Sequence, residues 1–265
     1  MKLNAELIRR AYQKLSLESS VPLAVQVEVV AETGSTNLDL MQRAKKLTMS
    51  TLLVAENQTA GRGRAGRSWL SIADGVLTFS LAWFFSKKAQ QLSGLPLVVG
   101  VALAEKLLEI GVPVQLKWPN DLLKEKKKLG GILVETQAAG EQGIWAIIGI
   151  GLNLMIPDEL EARIGQAVAD APWLAQMDRN DLLAHLLHAL STAMRVFDEY
   201  GFEVFVDRWN RLHAHAQLPV CIVDAGMIQK EGIALGIDGA GCLLLQTTTG
   251  VLAVHSGDVS LRASL

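Results

Sequence analysis

The sequence predicts an α+β protein, in which a large domain of strands and helices is followed by a small all-β domain. Between about residues 24 and 212, apolar residues alternate between a period of two and a period near 3.6, which indicates strands interspersed with helices. The apolar segments KLGGILVETQ and GIWAIIGIGLNL flank the turn-like AAGEQG and predict a β-hairpin. From about Leu218 the chain changes to short apolar runs separated by glycine, which is typical of a small barrel or sandwich.

In chain order, the first segment is MKLNAELIRRAYQKL, which predicts a short amphipathic helix. It is not typical of a signal peptide, because charges interrupt every apolar run that a signal peptide needs. LAVQVEVVAE and TLLVAEN predict strands on either side of a helix, STNLDLMQRAKKL, which begins at a Ser/Thr cap. GVLTFSLAWFF predicts a long strand, and LVVGVALAEKLLEIG predicts a helix that ends at Gly111. VQLKW predicts one further strand before the hairpin.

Two helices complete the large domain. Apolar residues repeat on one helical face over residues 181–199, with Asp178 or Asn180 as the cap, and a second helix follows through Arg211. We place residues 1–216 in the large domain and residues 217–265 in the small one. The sequence has no internal repeat, low-complexity segment or Pro-rich linker, so we expect the two domains to pack closely.

Composition indicates a globular protein and narrows its partners. Half of the 265 residues are hydrophobic and only 20% are charged, which allows a substantial core. The formal net charge of −2 gives no general attraction to nucleic acid or anionic membranes. The most apolar segments are shorter than the ~18 residues of a membrane span. Cys221 and Cys242 have neither disulfide nor zinc spacing, so we expect them to be buried thiols in a cytoplasmic protein.

The most unusual segment is AGRGRAGRSW, in which Arg62, Arg64 and Arg67 alternate with glycines. Glycine allows close backbone approach, and guanidinium groups bind phosphate or carboxylate through paired hydrogen bonds. The segment matches G-x-G-x-x-G, but a loop and a strand follow it where a dinucleotide fold needs a helix. We interpret it as an anion-binding loop; the alternative is a solvated basic turn or a nucleic-acid patch.

Two other segments combine polar residues with an unusual local context. KWPNDLL places Lys117 at the end of a predicted strand, where Trp118 and Pro119 restrict its direction. This favours an anion ligand, and the alternative is a β-turn with an exposed lysine. ETGSTN places Ser35 and Thr36 between a strand and a helix, where they either cap the helix or bind a small polar ligand.

The remaining candidates are weaker. GIGLNL places glycines inside a buried strand, which is typical of close approach by a ligand or another backbone. The lysine-rich run at residues 124–128 is expected to be a solvated hairpin tip. His185 and His188 share a helical face without a third metal ligand, and His213, His215 and His255 show no pattern.

Taken together, GSTN, ENQTAGRGRAGRSW, KWPNDLL, KLGGILVE and GIGLNL, in this order and spacing, resemble the catalytic domain of the biotin protein ligases. The ending GIDGAGCLLLQTTTGVLAVHSGDVSL is similar to the C-terminal domain of that family. The resemblance implies a mixed, largely antiparallel sheet flanked by helices, of the class II synthetase-like type, with a small C-terminal SH3-like β-barrel. The segment before residue 27 is expected to be too short for the winged helix-turn-helix of members that double as repressors.

The resemblance also implies a reaction. Such ligases activate biotin with MgATP to biotinyl-5′-AMP and transfer biotin to one lysine of a biotin carboxyl carrier protein, such as that of acetyl-CoA carboxylase. Lys117 and Arg64 are the implied catalytic residues, and the number and ligands of the magnesium ions are left open. The implied biotin contacts are Ser35, Thr36, Asn37, Gln58, Arg62, Gly63, Arg64, Lys117 and Gly131. The implied ATP and adenylate contacts are Arg64, Arg67, Trp69, Asn120 and Asn153.

Gly130 and Gly131 are implied to leave room for the bicyclic ring of biotin. One departure from the family pattern is SIAD at residues 71–74, where the family commonly has Ser-Pro-x-Gly. We expect it to add a carboxylate, that of Asp74, near the cationic loop. Two other functions are weighed: a non-catalytic nucleotide- or RNA-binding module, and a lipoate-type acyl transferase on the same fold. We expect no DNA binding and no membrane association, and a homodimer is left open.

Overall fold

The structure of the chain is a computed structural model, and it describes residues 2–18, 24–86, 89–140, 143–157, 168–224, 227–257 and 259–263. The helices of these residues are α1 (Ala5–Glu18), α2 (Thr36–Arg43), α3 (Leu95–Glu109), α4 (Pro172–Gln176), α5 (Arg179–Tyr200) and α6 (Glu203–Leu212). The strands of the large domain are β1 (Gln26–Thr33), β2 (Thr51–Gln58), β3 (Val76–Phe85), β4 (Gln115–Lys117), β5 (Asp121–Lys124), β6 (Lys127–Ala138) and β7 (Ile144–Asn153). The strands of the small domain are β8 (Pro219–Asp224), β9 (Met227–Ile237), β10 (Leu243–Thr247), β11 (Gly250–Val254) and β12 (Ser260–Ala263).

The large domain is built on a seven-stranded sheet with the order β1-β2-β3-β7-β6-β5-β4. β1 and β2 are parallel, and every other neighbouring pair in this sheet is antiparallel. The mixed, largely antiparallel sheet and the β6–β7 hairpin are therefore confirmed. The turn of that hairpin includes residues 141 and 142, which lie outside the described residues.

The helices cover both faces of this sheet. Residues of α1, α3 and α5 pack with one face of the strands in the main core, because apolar side chains on each helix repeat on the side that meets the sheet. On the opposite face, Leu40 of α2 packs with Leu53, Ala82 and Ile147 in a smaller cluster. Because α2 covers only part of this second face, the rest of that face is available to form a site.

The helix ends follow the sequence signals. The Ser35 side chain accepts a hydrogen bond from the Leu38 amide at the start of α2, and Asp178 accepts one from the Asn180 amide at the start of α5. After α3, Gly111 has a φ of 87°, the left-handed conformation that favours glycine at a helix end. The predicted caps and the predicted end of α3 are confirmed.

Two details of the large domain differ from the sequence expectation. No strand was predicted at residues 121–124, but β5 pairs with β4 on one side and with β6 on the other. In addition, one described helical stretch, Ala89–Glu109, is long and apolar enough to cross a membrane, so the expected shortness of the apolar segments is wrong there. Because 61% of its apolar window is buried inside the fold, we interpret α3 as a core helix.

The small domain is a five-stranded antiparallel sheet with the order β11-β10-β9-β8-β12. It is joined to the large domain by specific hydrogen bonds. Trp118, which is fully buried, donates from Nε1 to the Gly241 carbonyl over 3.1 Å. Asn210 of α6 accepts a hydrogen bond from the Ile237 amide over 2.8 Å. The expected close packing of an appended all-β domain is confirmed, and both cysteines are buried and free.

His213 is buried at the junction between α6 and the edge of the large sheet. Its backbone forms a parallel bridge with Leu116, and its ring lies 4.7 Å from the ring of Trp209. Neither ring nitrogen has a hydrogen-bond partner among the described residues. Burial, with a smaller contribution from the neighbouring His215, lowers the pKa of His213 from 6.5 to about 4. The folded protein therefore holds this imidazole neutral.

We expect His213 to make the protein sensitive to mild acid. Its folded pKa lies below its unfolded pKa, so the unfolded state binds more protons between about pH 6.5 and about pH 4. The free energy of unfolding should fall through this window, by roughly 2 kcal/mol at about pH 5. Urea denaturation at several pH values measures the loss. His213→Leu should remove this part of the pH dependence, and an unchanged profile in that variant would show that another group is responsible.

Candidate active site

A cavity of about 1020 Å³ opens on the face of the large sheet that α2 leaves uncovered. Its walls are formed by residues of the segment 60–69, which we call the arginine loop, by the β4–β5 connection and by β12 of the small domain. The structure brings every residue implied as a catalytic residue or as a biotin or nucleotide contact to its lining: Ser35, Thr36, Asn37, Gln58, Arg62, Gly63, Arg64, Arg67, Trp69, Lys117, Asn120, Gly131 and Asn153. These residues are distributed over more than a hundred positions of the chain, so their convergence is a property of the fold.

Glycines of β6 and β7 form part of the floor of the cavity. Gly149 and Gly151 of β7 point to the same face because alternate residues of a strand share a side, and Gly151 lies opposite Gly131 of β6. A Cβ atom at Gly149 would lie 2.5 Å from Oδ1 of Asn37, and one at Gly151 would lie 2.2 Å from Cε2 of Trp69. Other groups do approach these glycines closely, but they are side chains of the protein and not the ligand or second backbone that the sequence indicated.

Gly130 differs from its neighbour. A Cβ atom there would meet the Gly151 carbonyl oxygen at 2.8 Å and Leu122 and Leu152 at 3.4 Å, and Gly130 is not among the lining residues. The pleat of β6 turns Gly130 toward the main core and Gly131 toward the cavity. The implied role of Gly130 beside a ligand is therefore wrong, whereas Gly131 does face the cavity.

One end of the cavity is a network of buried hydroxyl and amide groups. The Gln58 Oε1 atom accepts hydrogen bonds from the Thr36 amide over 2.8 Å and from its hydroxyl over 3.0 Å. The Thr36 hydroxyl also lies 2.7 Å from that of Ser80, which in turn donates to Asn37 Oδ1 over 2.8 Å. Ser80 was not predicted as a site residue, because a serine in an apolar strand gives no signal of its own.

This network continues to the arginine loop through Glu135 of β6. The Asn37 amide nitrogen donates to Glu135 Oε2 over 2.9 Å, and Arg62 forms an ion pair with Glu135 Oε1 over 2.9 Å. Arg62 therefore approaches the polar end of the cavity while its charge is paired with a carboxylate. Glu135 itself was missed in the sequence, since its alternation along β6 does not reveal which residue it meets.

The arginine loop is folded back on itself. Arg62 and Ser68 form an antiparallel bridge, the Trp69 amide donates to the Gly61 carbonyl over 2.9 Å, and the Gly63 amide donates to the Arg67 carbonyl over 2.7 Å. Ala65 has a φ of 51° at the tip of the loop, which is uncommon for a residue with a side chain. The loop thus presents its arginines from a closed hairpin.

Arg64 connects the loop to both domains. Its Nη1 atom donates to Asn120 Oδ1 over 3.1 Å, and its Nη2 atom donates to the carbonyl oxygens of Ser256, over 3.1 Å, and Gly257. Arg67 is exposed and lines the same cavity. The small domain therefore contributes directly to the position of a candidate catalytic guanidinium.

Lys117 is positioned by the residues on either side of it. It ends β4 and lies opposite Asp121 of β5, and the next residue, Trp118, is anchored in the core. Burial lowers the pKa of Lys117, and the nearby cations Lys128 and Arg262 lower it further, whereas Asp121 raises it. An anion in the cavity would satisfy this partly desolvated ammonium group, as the sequence predicted for an anion ligand.

Lys128 was expected at a solvated hairpin tip, and this expectation is wrong. Its ammonium group lies 2.7 Å from Asp121 Oδ1 and 5.6 Å from the centre of the Trp69 ring, and only a fifth of the side chain is exposed. Lys126 lines the cavity as well. In a run of lysines, the register between β5 and β6 decides which residues face the cavity, and the sequence does not reveal that register.

The nucleotide-side candidates are held by backbone groups. The Asn153 amide nitrogen donates to the carbonyl oxygens of Lys128, over 3.2 Å, and Ala169, over 3.1 Å. The Asn120 amide nitrogen donates to the Ile132 carbonyl over 2.8 Å. Both side chains therefore keep a fixed orientation at the cavity wall.

Asp74 does not lie against the cationic loop as expected. Its carboxylate forms an ion pair with Arg179 over 2.8 Å at the start of α5, and the second guanidinium nitrogen of Arg179 contacts Glu56 over 2.9 Å. Asp74 has a φ of 63°, which aspartate adopts more readily than most residues. The departure at residues 71–74 therefore changes how the segment after the loop is fastened and leaves the charge of the cavity unchanged.

His215 and Arg262 are two further charged or titratable cavity residues that the sequence did not indicate. The hydrogen bond from the Ala214 amide to the Leu116 carbonyl, 2.9 Å long, sets the chain after α6 beside β4. His215 thereby reaches the cavity next to Lys117. Within the described residues, no group of three or more His, Cys, Asp or Glu side chains is arranged to hold a metal ion.

Comparisons with known proteins agree with this geometry. Residues 27–153 match the model of the biotin/lipoate A/B protein ligase family, and residues 224–262 match that of the biotin protein ligase C terminal domain. The chain is 34% identical to the bifunctional ligase/repressor BirA of Escherichia coli over 90% of this chain and 74% of that protein. It is 32% identical to a biotin--[acetyl-CoA-carboxylase] ligase of Paracoccus denitrificans, over 87% of this chain and 98% of that protein. A biotin protein ligase from Aquifex aeolicus in complex with biotin and ATP superimposes with a TM-score of 0.76 at 32% identity, covering 90% of this chain and 99% of that one.

Proposed function

The chain belongs to the biotin protein ligase family, and on this premise we propose that its cavity activates biotin with ATP and transfers the biotinyl group to a carrier protein. The observation that carries the proposal is the convergence of a polar network, a glycine floor and a cationic wall on one cavity. The neutral bicyclic head group of biotin needs the polar network and the space above the glycines. The carboxylate of biotin and the polyphosphate of ATP need the cationic wall. The chain is an enzyme of the biotin--[acetyl-CoA-carboxylase] ligase type.

In the first half-reaction, a carboxylate oxygen of biotin attacks the α-phosphorus of ATP. The bond between the α-phosphorus and the oxygen that bridges to the β-phosphate breaks, and pyrophosphate leaves with that oxygen. Biotinyl-5′-AMP, a mixed anhydride, remains in the cavity. Two anions must approach each other in this step, so cations placed where negative charge accumulates lower the barrier.

We assign Lys117 to the junction between the biotin carboxylate and the α-phosphate. Its ammonium group is partly buried, so its attraction for an anion is stronger than at an exposed site. Arg64 approaches from the opposite wall, fixed by Asn120 and by carbonyl oxygens of the small domain. Lys128, which faces the same cavity beside Asp121, is a further cation for this junction.

We assign the polar network to the head group of biotin. Ser35, Thr36, Asn37 and Gln58 supply donors and acceptors of fixed orientation, which suits a ureido group that both donates and accepts hydrogen bonds. Gly131 provides space beside the ring. Arg62 and Gly63 approach from the loop, and the loop closes over the ligand and shields the anhydride from water.

We assign the opposite side of the cavity to the nucleotide. Trp69 offers an aromatic face, Arg67 and Asn120 lie toward the phosphates, and Asn153 lies toward the base. Mg²⁺ enters as part of the MgATP substrate. Magnesium is commonly held by phosphate oxygens with few protein carboxylates, and this suits a cavity in which Asp121 is the one acidic residue among the described lining residues.

In the second half-reaction, the amine of a carrier lysine attacks the carbonyl carbon of the anhydride, an amide bond forms and AMP leaves. The carrier is a biotin carboxyl carrier protein of acetyl-CoA carboxylase or a related carboxylase. We further propose a cytoplasmic enzyme that does not bind DNA. β1 is an edge strand of the large sheet, so pairing of two such edges is a route to a homodimer, which light scattering tests.

One experiment tests the proposed function directly. Purified protein is incubated with MgATP and radiolabelled biotin, and biotinyl-adenylate is separated by chromatography; a carrier domain is then added to test transfer. We expect both products with biotin and neither with lipoate. Adenylation of lipoate in place of biotin would favour the acyl-transferase alternative. Steeply salt-dependent binding of RNA without any adenylate would favour the nucleic-acid-binding alternative.

A further inference from the structure

The cavity has a strong excess of positive charge beside Lys117. Seven described lining residues are lysine or arginine: Arg62, Arg64, Arg67, Lys117, Lys126, Lys128 and Arg262. Among the described residues, Arg62 forms an ion pair with Glu135, and Lys128 forms one with Asp121. Together the seven cations surround a region that attracts a polyanion.

His215 lies within this cationic region. The hydrogen bond from the Ala214 amide to the Leu116 carbonyl holds the chain against β4, so that His215 lies beside Lys117. The imidazole lines the cavity, and its Nδ1 atom is buried without a hydrogen-bond partner among the described residues. A buried polar atom without a partner is costly, which points to a ligand that would supply one.

The groups that face His215 come from three elements. Lys117 faces it from β4, Lys126 from the β5–β6 turn, and His213 from the end of α6, with ring centres 6.1 Å apart. Arg262 of β12 lines the same cavity. Burial lowers the pKa of His215, and the charges of Lys117 and Lys126 lower it further. In the free enzyme, the imidazole is therefore neutral at physiological pH.

We infer that His215 is a polyphosphate-binding residue, whose imidazole takes up a proton from solvent when the β- and γ-phosphates of the nucleotide, or pyrophosphate, enter the cavity. A polyanion between Lys117, Lys126 and His215 reverses the sign of the local potential, and this favours the imidazolium form. The protonated ring then donates hydrogen bonds to phosphate oxygens. The inference rests on the proposed function only for the identity of the nucleotide.

Inorganic pyrophosphate is the probe for the direct test. Titration calorimetry at about pH 7, in buffers with different ionisation enthalpies, measures the protons taken up on binding. We expect the wild-type enzyme to take up more protons than His215→Gln. His185→Gln is the matched control, because it removes an imidazole from α5 that does not line the cavity. Equal uptake by wild type and His215→Gln would assign the proton to another group, such as Lys117, and would overturn the inference.

Kinetics provide a second readout. In biotin-dependent exchange between pyrophosphate and ATP, His215→Gln should raise KM for ATP about tenfold at about pH 6, because it removes a charged hydrogen bond. The difference in KM between the variant and the wild type should disappear at about pH 8.5, where the imidazole is neutral in both the free and the ligand-bound enzyme. The phosphates also titrate in this range, but they do so equally with both enzymes. A KM ratio that is the same at both pH values would indicate a merely structural role and would refute the inference.

These experiments separate the inference from the proposed function. If the wild-type enzyme binds pyrophosphate with proton uptake but forms no biotinyl-adenylate, the proposed function fails and the role of His215 stands. If adenylate forms but His215→Gln behaves as wild type in both experiments, only the inference fails. An absence of pyrophosphate binding to the wild type also overturns the inference.

Discussion

Replacement of Lys117 by alanine is expected to slow both adenylate formation and biotin transfer about a hundredfold, which corresponds to ~3 kcal/mol of transition-state stabilisation. Lys117 ends β4 beside the buried Trp118, so its direction is fixed before any ligand arrives. The ammonium group is partly removed from water, and this burial lowers its pKa. A preorganised charge of this kind contributes more to a reaction between two anions than a solvated lysine does.

The two half-reactions are measured separately, by exchange of pyrophosphate into ATP and by transfer from preformed biotinyl-adenylate to a carrier domain. Lys127→Ala is the matched control, since Lys127 is exposed at the neighbouring hairpin and does not line the cavity. Lys117→Arg should recover part of the rate, because it keeps the charge but changes its shape. Wild-type rates for Lys117→Ala in both assays would remove Lys117 from the catalytic assignment.

Replacement of Gly151 by alanine is expected to reduce kcat/KM for ATP about thirtyfold, or ~2 kcal/mol, which lies in the range of stacking between a base and an aromatic side chain. The added methyl group would overlap the indole ring of Trp69, at 2.2 Å from Cε2. The ring must then leave the floor of the cavity, and the end of the arginine loop must move with it. Alanine suits the strand backbone at this position, so the sheet itself should persist.

Two variants distinguish this mechanism from general damage. Gly34→Ala adds a methyl group where no atom lies within 4 Å, and it should leave the kinetics unchanged. Trp69→Ala should lose a similar factor to Gly151→Ala. If both act through the indole ring, the double variant should be little worse than either single variant, whereas additive losses would contradict a shared cause.

Local signals predicted most of the large domain. Period-two apolar runs became β1, β2, β3, β6 and β7, and the caps of α2 and α5 were visible as Ser35 and Asp178. β5 was missed because it has only four residues and directly follows a turn containing proline. Its strand conformation is set by pairing with both neighbours, and such long-range pairing leaves little trace in a short segment.

The candidate site was predictable where the local composition of the sequence was unusual. Glycines next to arginines, a lysine before Trp-Pro, and hydroxyl residues at a helix start all stand out from their surroundings. Ser80, Glu135 and Lys128 look ordinary in their strands, and only the register of the sheet brings them to the cavity. The position of His215 depends on how the chain after α6 packs against β4, and this is a tertiary contact that the local sequence does not reveal. Asp74 was misplaced for the same reason, since its partner Arg179 is 105 positions away by their residue numbers.

The carbonyl oxygens of Ser256 and Gly257 that hold Arg64 set a rule for protein engineering. A chimera that grafts a different all-β module onto this catalytic lobe has to recreate two acceptors at the same place, together with the acceptor for the indole of Trp118. A module that matches in outline alone would leave the guanidinium without its support. Exchange of the small domain in such ligases is therefore limited by a few backbone atoms at the domain interface and much less by the overall shape of the new domain.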